Sequence, residues 1–414
     1  MFSEQSILAR RYLWILLGVI GGALLGIGAI NVVADPFRVF GIPRRKGVND
    51  HIPNTSGFDR IAKPYEVLRV DPRTVLVGSS TAHSGFLPIA EWQTALPQPA
   101  YNYALLGASV HEVRLSLEQA LRECPVEAAL MVADFFAFNA NYRDNERFDS
   151  GRLGAATRHA WPGFLASDLF AFCLGRDALG LSWTTFHASW RQNAGSAAPP
   201  GTEHDYPWLA HFRNCERSYL DKWFPSPTRT YDFSSQAGCD RLSDFDMALR
   251  VCADRGVHLI VICPPIHARF QEALAVAGAW PIYEEWKRQI ALRTRLRQSQ
   301  INGSGAVELW DFSLFNEITC EPLPAEGTRP MRYFFDSAHF TPEFGRVILD
   351  EVLKGTPQFG VRLDQVEIES HLAALRADLQ QFRIANPAVV ADVRATLRIA
   401  KGNTSPASVS ALGF

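Results

Sequence analysis

Little in this 414-residue sequence speaks for a metal centre: its seven cysteines form no C-x-x-C pair and show no zinc-binding spacing. Basic excess is lacking too. Lysine and arginine number 41 against 43 acidic residues, a formal charge of −2, so nothing marks a nucleic-acid partner. With 20% charged and 47% hydrophobic residues the chain has enough apolar surface for a packed core, which excludes global disorder. The most telling absence is local. From Tyr12 to Ala34, YLWILLGVIGGALLGIGAINVVA, there is no charged side chain.

A helix needs about 20 apolar residues to cross a bilayer, so residues 1–34 are expected to be a membrane anchor. Arg10 and Arg11 precede the run and favour a cytoplasmic N-terminus, but Arg38, Arg44, Arg45 and Lys46 follow it. The charge rule therefore does not decide orientation. Val32-Val33-Ala34 also fits a signal-peptidase site, although the run is longer than most signal h-regions and favours an uncleaved anchor. Gly18, Gly22 and Gly26 put a groove on one face that suits a second helix. Among the cysteines, Cys252 and Cys263 lie in apolar segments and read as core. Cys215 and Cys239 lie in polar surroundings and are candidates for a disulfide in an exported domain.

Residues 35–57, rich in proline, glycine and charge, read as a linker. Beyond residue 58, apolar runs at 75–77, 128–134, 257–263 and 306–311 predict buried strands. Between them, Val110, Val113, Leu117 and Leu121 take helical spacing, as do Leu242, Phe245, Leu249 and Cys252. This alternation predicts a parallel sheet with helices on both faces. Residues 143–235 lack strand rhythm and carry Trp161, Trp183, Trp190, Trp208 and Trp223. They read as an insertion over the sheet's C-terminal edge, whose indoles either stack on sugar rings or fill a small core of their own. Ile368, Leu372, Leu375, Leu379 and Phe382 predict an amphipathic helix within a helical extension over 356–401. Residues 402–414 read as a fraying tail.

Two stretches carry chemistry. In VLVGSSTAHSGF (75–86) a buried strand stops at Gly78-Ser79-Ser80, where a sharp turn can expose a serine hydroxyl. In YFFDSAHFTPEFGRVIL (333–349), Asp336 and His339 lie in a short loop before a helix that Thr341 and Pro342 are suited to start. A carboxylate beside an imidazole fixes the tautomer that a general base needs. In the order Ser, Asp, His, these segments resemble the SGNH/GDSL hydrolases, whose sheet of five parallel strands carries a G-x-S nucleophile turn and a late D-x-x-H.

The resemblance implies a three-layer α/β domain over 58–355, with Ser80 as nucleophile, His339 as base and Asp336 as its orienting carboxylate. The segment Tyr101–Gly107 looks like the family's second block, which implies that the Gly107 N–H joins the Ser80 N–H in an oxyanion hole. VICPPIHARF looks like the penultimate strand and its loop. The third block, which usually offers an asparagine after a glycine, reads VADFFAFNAN here. Asp134 stands directly after the strand, and Asn139 is the candidate for the missing donor. His83, His111 and His258 lack the D-x-x-H offset and read as structural.

An anchor before such a domain resembles membrane-tethered proteins of cell-surface polymer acylation, of the alginate-acetylation and D-alanylation types. That resemblance implies an extracytoplasmic serine esterase or O-acetyltransferase with no cofactor and no metal. Its expected partners are a polysaccharide, the membrane, a membrane-bound acyl-donor protein and no nucleic acid. The alternatives are a non-catalytic carbohydrate-binding or assembly component and a lipid-directed esterase.

Overall fold

The computed structural model describes residues 4–52, 56–87, 89–92, 95–157, 165–193, 207–223, 230–235, 238–300, 306–324 and 331–402. In chain order its helices are α1 (Glu4–Ala34), α2 (Asp59–Val70), α3 (Ser80–Gly85), α4 (Val110–Glu123), α5 (Ser150–Ala155), α6 (Ala166–Leu174) and α7 (Arg176–Asn193). There follow α8 (Trp208–Trp223), α9 (Arg241–Asp254), α10 (Ala268–Ala277), α11 (Trp280–Gln300), α12 (Pro342–Lys354), α13 (Ile368–Ala385) and α14 (Pro387–Gly402). The strands are β1 (Thr74–Val77), β2 (Ala100–Asn102), β3 (Ala128–Val132), β4 (His258–Cys263), β5 (Val307–Asp311) and β6 (Val361–Arg362). The chain is a mixed α/β protein, mostly helical, that divides into two compact units: Met1–Arg69 with Gly151–Pro200, and Val70–Ser150 with Gly201–Gly413. Residues 143–235, expected as one insertion, are shared between the two.

The first unit is built around α1. Its run Leu8–Ala34 is long and apolar enough to cross a membrane. Gly18, Gly22 and Gly26 have nothing within 4 Å of a built Cβ, whereas Gly28 packs against Cys173 and Leu174 of α6. Within the segment expected as a linker, side chains tie the backbone at 35–49. The Asp35 carboxylate accepts the amides of Val39, Phe40, Gly41 and Ile42 at 2.9–3.2 Å, so the chain wraps around one side chain. Asn49 donates to Val33 O at 3.1 Å and accepts from Arg45 N at 2.7 Å. Phe37, Val39, Tyr65 and Phe172 form this unit's apolar core. Beneath it, Arg152 and the Tyr65 hydroxyl both bond the buried Asp168.

The second unit holds one sheet, in the order β2-β1-β3-β4-β5-β6. The expected five strands are parallel; β6 is a sixth, a two-residue antiparallel edge on β5. In register, Leu76, Leu130 and Ile260 share one face with Val132, Ile262 and Trp310, and that face meets Phe86, Phe340, Phe344 and Ile348. The other face carries Asp311, whose carboxylate bonds the Lys287 ammonium of α11 at 2.6 Å and His371 of α13 at 2.9 Å. Buried on both faces, these strands read as the continuous apolar runs seen in the sequence. A capping box of Ser109 and Glu112 opens α4, and the Asp240 side chain caps α9. Leu372, Leu375, Leu379 and Phe382 of α13 are buried, as their spacing predicts.

All seven cysteines are free, so Cys215 and Cys239 do not form the expected bridge, while Cys252 and Cys263 are buried core residues.

Two glycines bring α3 and α12 together. A Cβ on Gly345 would lie 2.0 Å from the Gly85 carbonyl oxygen, and one on Gly85 would lie 1.9 Å from the Phe340 ring. Gly345→Ala should therefore destabilise the protein by about 1–3 kcal/mol, against the gain of up to about 1 kcal/mol that a free helical Gly→Ala change brings. Denaturant unfolding of the full chain in detergent checks this; a stabilised variant would mean that the helices can part.

Candidate functional site

The candidate site lies where β1 and the loop before α12 end side by side. Gly78 makes the turn possible, since a Cβ there would sit 2.7 Å from Ala82 Cβ and 3.1 Å from the Val132 carbonyl. Ser79 is thereby the N-cap residue and Ser80 the first residue of α3. The opposing loop is a tight hairpin, with Phe335 N donating to His339 O at 2.9 Å and Thr341 N to Tyr333 O at 2.9 Å. The Thr341 hydroxyl also bonds Arg332 O at 2.6 Å, so α12 begins from a fixed point.

The structure brings the three sequence-predicted catalytic residues together. Ser80 Oγ lies 2.9 Å from His339 Nε2, and His339 Nδ1 lies 2.7 Å from Asp336 Oδ2. Asp336 Oδ1 accepts the amides of Ala338 and His339 at 2.7 and 2.8 Å. With Nδ1–H committed to the carboxylate, Nε2 presents a lone pair to Ser80. Burial alone would push Asp336 up, but His339 and the two amides outweigh it and hold it down to about 2. Burial likewise works against the imidazolium, yet Asp336, with help from Asp134, raises His339 above its ordinary value. The pair is thus tuned to hold a proton on the ring.

Of the expected oxyanion donors, Ser80 stands on the turn itself and Gly107 lies in a segment joined to it. Leu105 N donates to Gly78 O at 3.0 Å, stitching the 101–107 segment to the serine turn. Gly107 follows with φ +62°, a conformation that favours glycine. Neither the Ser80 nor the Gly107 amide donates to another group among the described residues. The Asn139 side chain bonds loop backbone. Its amide donates to Thr230 O at 3.4 Å, and its carbonyl accepts from Asn141 N at 3.0 Å and Asp232 N at 3.4 Å. Asp134 is the residue at the turn instead. It accepts from Ser79 Oγ at 2.9 Å, Thr81 Oγ1 at 3.3 Å and Phe136 N at 3.1 Å, and burial raises it above the usual carboxylate range.

Sequence reasoning missed α8. From that helix Tyr219 Oη reaches His339 Nε2 at 2.9 Å and Ser80 Oγ at 3.5 Å. Two hydroxyls therefore compete for one imidazole lone pair. Burial holds Tyr219 as a neutral phenol, with its pKa well above the ordinary one. One turn earlier, Cys215 faces Asp336 and Ser337, and burial first, then the carboxylate, pushes its thiol well up. Lys222 Nζ comes within 3.7 Å of the Cβ position of Gly107. The buried fork of Arg269 on Glu216, at 2.6 and 3.1 Å, pins α8, and Asp392 of α14 bonds Arg269 at 2.5 Å. No sequence signal distinguishes Tyr219 from an ordinary core tyrosine. Beside Tyr219, a cavity of ≈ 20 Å³ is lined by Thr81, Asp134, Phe136, Phe270 and Ala338.

Of the histidines expected to be structural, two bond carboxylates. His111 bonds Asp244 at 3.0 Å and His258 bonds Glu308 at 3.1 Å. The tryptophans are dispersed. Trp208 is buried in the second unit's core, whereas Trp183 and Trp190 are exposed on α7 in the first unit. Trp161 and the Trp223 side chain lie outside the described residues.

No protein-family model and no curated protein matches this chain.

Asp336→Asn should lower the His339 pKa towards or below the ordinary histidine value, because the Coulombic term that opposes burial is removed. NMR titration of the ring measures it directly; an unchanged pKa would mean that the Asp336–His339 pair does not govern the imidazole.

Proposed function

We propose that the chain is a membrane-anchored serine esterase or O-acyltransferase of the SGNH/GDSL type, with its catalytic domain outside the cytoplasm and a polysaccharide ester as substrate. The observation that carries this reading is the continuous relay Ser80–His339–Asp336 at 2.9 and 2.7 Å. A serine hydroxyl is a weak nucleophile until a base takes its proton, and this geometry supplies the base and its orienter. A sheet with five parallel strands, in which Gly78-Ser79-Ser80 directly follows β1, supports the three-layer SGNH architecture.

Ser80 Oγ attacks the ester carbonyl carbon while its proton passes to His339 Nε2. The carbonyl oxygen gains charge and is received by the Ser80 and Gly107 amides, with the Lys222 charge beside Gly107. On collapse the alkoxide leaves with the proton from His339, and the acyl group stays on Ser80. Water, or an acceptor hydroxyl in a transferase, then gives its proton to His339 and takes the acyl group, and the Ser80 oxygen leaves with that proton from His339. By resemblance to the polymer-acylation proteins, acetyl transfer or removal fits best.

The test uses the full chain in detergent with a short-chain chromogenic acetate ester. Ser80→Ala should abolish turnover while leaving the fold intact, and acceptor sugars added to wild type then separate transfer from hydrolysis. Sugar binding without any Ser80-dependent turnover would favour the non-catalytic carbohydrate-binding reading, and a preference for long acyl chains the lipid-directed one.

The pH profile adds a second check. His339 acts as a base only when neutral and its pKa is raised, so kcat/KM should fall as pH drops through a value above about 6.5. An acid limb below that value would contradict the pairing with Asp336. Tyr219→Phe removes the competing hydroxyl. It should shift this limb and change kcat by more than it changes KM; a variant identical to wild type in both would reduce Tyr219 to packing.

A further inference from the structure

The first unit carries a helix that is inside out. On α7 the face formed by Ala178, Ser182, Thr185 and Ser189 is buried, although three of its four side chains are hydroxyls. The opposite face exposes Leu179, Trp183 and Trp190, with Trp183 73% and Trp190 64% accessible; His187 lies between them. Phe170 of the neighbouring α6 is 63% accessible. In water this is the wrong way round, since large aromatic faces are ordinarily buried and hydroxyls exposed. In a membrane it is the expected arrangement, where small and hydroxyl side chains join helices and aromatic ones face outward.

The hydroxyl face has a specific use. Asn31 of α1 is fully buried, and it accepts from Ser182 Oγ at 2.8 Å and donates to Cys173 O at 2.8 Å. Thus α6 and α7 are fastened to the C-terminal end of the apolar helix. Counted from Tyr12, the first residue after Arg10 and Arg11, about 20 residues of helix cross the hydrocarbon, which brings its far edge to Asn31. Aromatic residues concentrate at both bilayer interfaces. At its start α1 provides Tyr12 and Trp14, 70% and 73% accessible, but from Ile15 to Asp35 it has no aromatic residue. Its missing second belt stands on α6 and α7.

We propose that the α6–α7 hairpin is an interfacial membrane element, whose Phe170, Leu179, Trp183 and Trp190 lie in the headgroup and upper acyl region of the bilayer that α1 crosses. The proposal rests on α1 spanning that bilayer, and it assigns the hairpin's exposed face to lipid. The indole ring suits this zone because it pairs a large apolar face with one N–H that can meet a headgroup or water. Arg176 and Arg191, at the two ends of α7, suit the phosphate level of the same interface.

Intrinsic fluorescence of the full chain in phosphatidylcholine vesicles tests this, with brominated phosphatidylcholine as quencher and acrylamide as the aqueous probe. Emission assigned to Trp183 and Trp190 is the difference between wild type and the Trp183→Phe/Trp190→Phe variant; that of Trp14 comes from Trp14→Phe. Most of the Trp183/Trp190 emission should be lost to lipid brominated near the headgroup, and little of it to lipid brominated at the chain end. Trp14 quenched by bromine while Trp183 and Trp190 answer only to acrylamide would overturn the hairpin's placement and leave the anchor standing. Shielding of the pair from both probes would mean that a second protein surface covers the face, which also overturns it. If neither Trp14 nor the pair responds to bromine, the anchor reading fails, and the proposal with it.

Discussion

The closeness of α3 and α12 is the constraint on which the rest of the second unit depends. Two helices ordinarily pack with axes 8–10 Å apart, and side chains set that distance. Here Gly85 and Gly345 remove them at the crossing, and the ring of Phe340 closes over the gap against Phe86 at 5.5 Å. Each buried phenylalanine in this cluster contributes about 1.5–3 kcal/mol by leaving water. The packing brings the start of α3, with Ser80, to the hairpin that carries His339. Apolar contacts therefore set the length of a polar hydrogen bond.

Two buried carboxylates near that hydrogen bond are shifted in opposite directions. Asp336 receives two backbone amides and an imidazole, enough to overcome burial and keep it charged. Asp134 receives two hydroxyls and one amide, and burial dominates. The difference is one of partners rather than depth, as expected when a single charged neighbour offsets desolvation. Around them, α8 closes the site from a distant part of the chain, held down by the Arg269–Glu216 fork. Breaking such a buried pair usually costs about 3–5 kcal/mol, so this cover is firmly held although it belongs to no strand or turn motif.

How much of this was legible depended on how local the signal was. The strands were visible as apolar runs because both of their faces are buried. β2 escaped because only Ala100, Tyr101 and Asn102 belong to it, and β6 because it has two residues. Ser80, Asp336 and His339 were legible because their loops have their own turn chemistry. Tyr219 was not, for its place beside Ser80 arises from tertiary packing across 139 positions. Asn139 shows the converse: an amide after a strand is equally good at closing a loop, and here it bonds Asn141, Thr230 and Asp232. Within 35–52, order comes from side chains binding backbone, chiefly Asp35 and Asn49, which composition does not reveal.

The collar around Asp35 bears on how the chain could be cut away from its apolar helix. Many anchored proteins are shed by one cut between anchor and domain, because the connecting chain is slack. Here the apolar helix supplies Asn31 to Ser182 and Cys173, and the Val33 carbonyl to Asn49. A cut at Ala34 would strand those partners and expose the Phe37–Phe172 cluster that they border. A cut there and the integrity of the first unit are mutually exclusive.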